Sequence, residues 1–177
     1  MLSLECSNFL SHATRNARFP VIIIGDSHCV LTPHALRASK EGRNIPVITV
    51  NGFATSRYPL EEAHAFLCAT RTTESPFDNH SLFMCSSQVA SRLITAPISL
   101  IHLANGTAYA EVKDAFLMWA AKVHPQGWFI IQDSGTASPW EGPKKVVEEI
   151  LYNPDSVPLK WGNIQVGSDF TALQRLR

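Results

Sequence analysis

The chain has 177 residues, of which 45% are hydrophobic and 17% charged, a balance that suits one domain around one core and argues against disorder. Lys plus Arg and Asp plus Glu both number 15, so no global basic field exists to hold a nucleic-acid backbone, and no nucleic-acid partner is expected. No apolar run spans a bilayer, and Met1 to Arg18 lacks a basic stretch followed by an apolar one, so the expectation is a cytoplasmic protein without a membrane partner.

Residues 1–20 read as an irregular lead-in with room for a short helix. Val21-Ile22-Ile23-Ile24 is apolar without alternation, as in a strand buried on both faces. Gly25-Asp26-Ser27-His28 turns the chain, and Thr32-Pro33 suits a first helical turn before a helix through Leu36 to about Lys40. Val47 to Val50 is a second buried strand, closed by Asn51-Gly52. Leu60 to Ala69 reads as a helix, with glutamates favouring its N-terminus. A polar loop leads to a third strand, Ser81 to Cys85. Ser87 to Ile94 reads as a helix with Val89, Ala90 and Leu93 on one side. Ile98 to Leu103 is the fourth strand.

From Ala108 to Val123, Val112, Ala115, Phe116, Trp119, Ala120 and Val123 recur at three- and four-residue spacing, which predicts a helix with one buried stripe. Pro125-Gln126-Gly127 reads as a turn, and Trp128 to Ile131 as the fifth strand, ending at Gln132-Asp133. Pro143 to Leu151 reads as a helix. Leu159 to Val166 and Phe170 to Leu176 read as a closing hairpin around Gly167-Ser168-Asp169. Strands and helices thus alternate and end in a hairpin. The predicted fold is α/β: a doubly wound, mainly parallel Rossmann-like sheet with a C-terminal antiparallel hairpin, formed by residues 21–177 as one domain.

The four cysteines, Cys6, Cys29, Cys68 and Cys85, form no CxxC pair and no convincing disulfide framework. They read mostly as small buried hydrophobes in a reducing compartment.

In such a sheet, ligands bind beyond the carboxyl ends of the strands, at the switch point. Gly25 to Cys29, Asn51 to Phe53 and Ala104 to Thr107 converge on that edge, with Asp133 and Ser134 bordering it. From Pro97 to Leu151 the chain resembles the second half of a class I S-adenosylmethionine-dependent methyltransferase. It is most similar to the small-molecule O-methyltransferase-like group, whose strand ends in Ile-Asp-Gly-Asp-His-Ser-Tyr. Here that stretch is Leu100-Ile101-His102-Leu103-Ala104-Asn105-Gly106-Thr107-Ala108-Tyr109. The helix, turn and strand that follow keep the family's order. Val21 to Thr32 stands in place of its first strand and glycine-rich turn, and Val47 to Asn51 in place of the strand whose terminal acid holds a ribose.

The motif residues diverge. Ile23 replaces an acid, Cys29 the second glycine of the turn, and Asn51 the ribose acid. Ala104, Gly106 and Thr107 replace two acids and a histidine. Of the family's common metal-site positions only Asp133 remains. One carboxylate does not make a divalent site, so no metal is expected.

The resemblance implies a divergent methyltransferase that moves a methyl group from S-adenosyl-L-methionine to a small-molecule acceptor, and it leaves a homodimer open. It implies cofactor-binding roles for Gly25, Asp26, Ser27, Asn51, Ser86 and Asn105, with the adenine near Ser86-Ser87. The acceptor would approach from Asn105, Asp133 and Trp140, with Asp133 or His28 as the base.

Two other functions fit the same residues. The lost acids suit a non-catalytic methyltransferase-like binding domain. Gly25-Asp26-Ser27 also resembles the opening of SGNH hydrolases, where Ser27 would be a nucleophile. That family places an Asp-x-x-His late in the chain, whereas the last histidine here is His124. Several residues have plainer readings. Asp26 and Ser27 serve as helix caps, His28 as a turn residue, and Asp133 as a loop cap. His102 reads as a core histidine with one backbone partner. Trp119 is core, Tyr109 lines a pocket or packs in its helix's first turn, and Cys29 is either a low-pKa thiol or small filler.

Overall fold

A computed structural model of the chain describes residues 3–26, 29–51, 59–71, 79–104, 106–157 and 159–176. Seven strands form one sheet: β1 (Val21–Ile24), β2 (Val47–Val50), β3 (His80–Phe83), β4 (Ile98–Leu103), β5 (Val123–Gln132), β6 (Trp161–Val166) and β7 (Phe170–Arg175). Their order is β3-β2-β1-β4-β5-β7-β6. The first five run parallel, and β7 joins β5 and β6 antiparallel. The switch point lies between β1 and β4, as a doubly wound chain requires.

Among the described residues six α-helices flank the sheet: α1 (Leu4–Arg15), α2 (Leu31–Glu41), α3 (Pro59–Arg71), α4 (Ser87–Leu93), α5 (Tyr109–Ala120) and α6 (Glu141–Tyr152). The unbroken apolar run of β1 is explained by its two buried faces. Ile22 and Ile24 enter a core with Ala90 of α4, Phe116 and Trp119 of α5, and Val146 and Ile150 of α6. Val21 and Ile23 enter the opposite core, beneath Cys6 and Leu10 of α1 and Ala35 and Leu36 of α2. Every β1 residue is at most 2% exposed.

Five local readings are corrected. The lead-in holds a helix of 12 residues, capped by Ser3, whose hydroxyl accepts from the Cys6 amide. Cys6 and Leu10 are fully buried, so this helix is part of the core. On α4 the buried residues are Ala90 and Ser91, while Val89 and Leu93 are 45% and 63% exposed. A helix of seven residues at the rim turns only a narrow face inward. Pro125-Gln126-Gly127 does not precede β5 but lies inside it. Ile98 pairs with Val123 and Leu100 with Trp128, so β5 bulges where Gln126 takes a φ of 70°. The predicted helix end at Val123 is instead the first residue of that strand. Of the four free cysteines, only Cys6 is buried outright. Cys29 and Cys85 are half-buried and Cys68 is exposed.

Candidate functional site at the carboxyl edge of the sheet

At the end of β1, Gly25 takes a φ of 83°, a conformation that a side chain would strain. Its amide donates to the Val50 carbonyl at 2.9 Å. Ile24 is paired with Val50, so Gly25 and Asn51 are the next residues on two adjacent strands. Asn51 is 7% exposed, and its amide donates to the Phe83 carbonyl at 3.0 Å.

Asp26 turns away from this edge. It is 4% exposed, and its carboxylate accepts from the amides of Val30 (2.9 Å), Leu31 (3.1 Å) and Thr32 (2.7 Å) and from the Thr32 hydroxyl (2.7 Å). These are the unpaired donors of the first turn of α2, so the carboxylate acts as a remote cap at the positive end of the helix. Ser27 and His28 lie outside the described residues, as does Asn105.

Cys29 has a φ of 53°, so the backbone keeps a left-handed conformation where the resemblance expects glycine. Its thiol lies 3.7 Å from the Phe66 carbonyl and packs with Phe66 and Leu82. Burial, and then the charge of Asp26, push the thiol up to about 12. It is filler, and the low-pKa reading is corrected.

Ser86 caps α4, its exposed hydroxyl accepting from the Val89 amide at 3.3 Å. Asp133 follows β5 with a φ of 59°, and its amide donates to the Asp169 carbonyl at 2.6 Å. Burial, and then the neighbouring Asp169, raise its pKa above the ordinary carboxylate value. Trp140 is 47% exposed, at the start of α6. The Tyr109 hydroxyl donates to Glu149 and accepts from Lys113, which binds Tyr109 between α5 and α6. The edge therefore brings Gly25 and Asn51 together, with Ser86 and Asp133 on either side along the strand order.

Two buried polar chains were missed in the sequence. One runs from Asp26 through Thr32 to Thr49 (3.0 Å) and on to His80 Nε2 (3.1 Å). The other begins at His102, which is fully buried. Its Nε2 meets Gln132 Oε1 at 2.9 Å, so its partner is a side chain and not the expected backbone group. Gln132 Nε2 donates to Asp169 Oδ2 at 3.0 Å, and Asp169 in turn holds Ser3. Burial pulls the His102 pKa down to about 4. Thr49 and His102 each sit inside an apolar strand. A buried polar group demands a partner, and that was the signal available.

At the place where the resemblance expects an adenosyl ligand, Gly25 offers bare backbone, Cys29 keeps a left-handed backbone, and Asn51 is buried at the tip of β2. Among the described residues no group of three or more His, Cys, Asp or Glu is arranged to hold a metal ion. No helix is long and apolar enough to cross a membrane among the same residues.

No family model matches the chain, and no curated protein does. Solved structures do. The O-methyltransferase TomG from Streptomyces achromogenes, involved in tomaymycin synthesis and solved with S-adenosylmethionine, superposes with a TM-score of 0.68 at 14% identity. The match covers 100% of this chain and 82% of TomG. An O-methyltransferase from Bacillus cereus in complex with SAH gives 0.69 at 14% identity over 100% of this chain and 83% of that one. The O-methyltransferase NovP gives 0.66 at 16% identity over 99% and 81%. With this strand order and these neighbours, the chain has the fold of the class I S-adenosylmethionine-dependent methyltransferases.

Proposed function

We propose that the chain is a divergent methyltransferase that binds S-adenosyl-L-methionine at the carboxyl edge of β1 and β2 and serves a small-molecule acceptor. The observation that carries this reading is the pairing of Gly25, with its φ of 83°, with the buried Asn51 on the neighbouring strand. Gly25 lets a ligand approach the backbone. The Asn51 carboxamide accepts from a ribose hydroxyl, more weakly than a carboxylate would. Asp26 acts by bracing the turn from behind. Ser86 flanks the adenine side.

When bound, the cofactor supplies an electrophilic methyl group. The chain's own contribution is alignment of the acceptor with that methyl. The Asp133 carboxylate, its pKa raised by burial, accepts the proton that a hydroxyl acceptor loses. Trp140 covers the acceptor side. No metal takes part in this reading.

A second reading, a domain that keeps the fold without catalysis, is supported by the commitment of Asp26 to α2. Calorimetric titration with S-adenosylhomocysteine, with and without magnesium, separates the two. The methyltransferase reading expects saturable, metal-independent binding in the micromolar range. No detectable heat, together with no shift in melting temperature, would leave the non-catalytic domain.

A further inference from the structure

A cavity of about 330 Å³ opens at the opposite end of the sheet, against the amino ends of β4 and β5 and the last turn of α1. Its size lies in the range of small-molecule pockets. The β5 bulge builds one side and α1 the other. The bulge and the full length of α1 were both unexpected from the sequence.

The walls are aromatic. Phe9 meets Trp128 edge-on at 5.0 Å, and Phe19 lies 4.7 Å from the His124 ring. Small residues keep the floor open. Ala13 lines it from α1, and Gly127 sits where a Cβ would come within 2.8 Å of the Ser99 and His124 carbonyls.

The charge at the cavity is of one sign. Arg18 is exposed at the mouth, and its guanidinium has no partner among the described residues. The Ser99 hydroxyl accepts from the Arg18 amide at 3.0 Å and the Phe19 amide at 2.8 Å. Both lone pairs are thereby occupied, and its own hydrogen has no acceptor among the described residues. The rings of His12 and His124 and the side-chain amides of Asn16, Gln126 and Gln174 also line the cavity, and the lining contains no Asp or Glu. An aromatic slot with a free guanidinium, a spare hydroxyl donor and no opposing carboxylate matches a planar aromatic ring bearing one carboxylate.

We infer that this cavity is a second ligand site, separate from the adenosyl edge, that takes a small aromatic carboxylate with the ring against Phe9 and Trp128 and the carboxylate on Arg18 and Ser99. Calorimetric titration of the full chain with 2-naphthoate tests it, beside the uncharged 2-naphthalenemethanol. The expected result is saturable binding of the acid in the micromolar range and at least tenfold weaker binding of the alcohol. Arg18→Gln brings the acid down to the alcohol's affinity with the melting temperature unchanged, since this guanidinium has no partner among the described residues. Asn16→Trp, an exposed rim position, blocks both ligands. Absence of binding at millimolar ligand, equal affinity for acid and alcohol, or full affinity in either variant would each overturn the assignment.

Discussion

The Thr32 hydroxyl stands 2.7 Å from Asp26 Oδ2, and this contact sets the direction of a buried relay. The carboxylate oxygen accepts, so Thr32 donates to it. Thr32 must then accept from Thr49 at 3.0 Å, and Thr49 from His80 Nε2–H at 3.1 Å. The relay ties the turn after β1 to β2 and the edge strand β3. Thr32→Val leaves the Thr49 hydroxyl without its acceptor in a buried site. The expected loss is about 1–3 kcal/mol in urea unfolding. Thr32→Ser should lose under about 1 kcal/mol. Equal stability of the valine variant and the parent would show that the relay contributes nothing.

Asn51→Asp returns a carboxylate to the tip of β2. If a ribose hydroxyl is held there, S-adenosylhomocysteine should bind about tenfold more tightly, equal to about 1.4 kcal/mol. Gly25→Val should abolish that binding, because a β-branched side chain is strained at a φ of 83° and fills the approach. Unchanged affinity in a folded Gly25→Val protein would remove the ligand from this edge.

His102 makes stability depend on mild acidity. Burial lowers its folded pKa from 6.5 to about 4, so the folded state prefers the neutral ring. The contribution is complete above pH 6.5 and shrinks as pH falls towards 4, because the unfolded chain takes up the proton first. By pH 5 the loss is about 2 kcal/mol. Urea melts of the parent and of His102→Gln at pH 7 and pH 5 read this directly. The variant should lose about 2 kcal/mol less than the parent over that interval, and an equal loss in both would refute the role of His102.

Thiol labelling separates three of the four cysteines. Cys68 is exposed, Cys29 has its thiol pushed up to about 12, and Cys6 is buried with its pKa raised further. Reaction of the native protein with a chromogenic disulfide at pH 8 should show a fast phase that Cys68→Ser removes. Cys6 and Cys29 should react only when the chain opens. Fast labelling of Cys29 would contradict its packing against Phe66.

Trp119 is fully buried, and its indole nitrogen donates to the Ser87 hydroxyl at 2.7 Å. Trp119→Ala should therefore destabilise by about 3–5 kcal/mol in the same unfolding assay. A loss below about 1 kcal/mol would mean that α5 does not anchor on this side chain.

The alternation of strands and helices was legible along the chain because the central strands bury both faces and so read as mainly apolar runs. Val21–Ile24, Val47–Val50 and Ile98–Leu103 were found at their observed bounds for that reason. The stripe of α5 was legible because Val112, Phe116 and Trp119 repeat at helical spacing. The place of the site followed from the same alternation, since the crossover rule puts the switch point beside β1.

Tertiary packing decided the rest. Whether Asp26 faces a ligand or caps α2 depends on which groups meet it, and its donors lie four to six residues ahead in the chain. The length and burial of the first helix were hidden because they come from contact with distant parts of the chain, seen in the bond between Ser3 and Asp169 across 166 positions. The bulge at Gln126 was hidden because a Pro-Gln-Gly turn and a strand irregularity share one local signature. Only the pairing of Val123 with Ile98 tells them apart. Local periodicity thus determines the elements and their order. The direction of each polar side chain is determined by partners that the fold alone brings near.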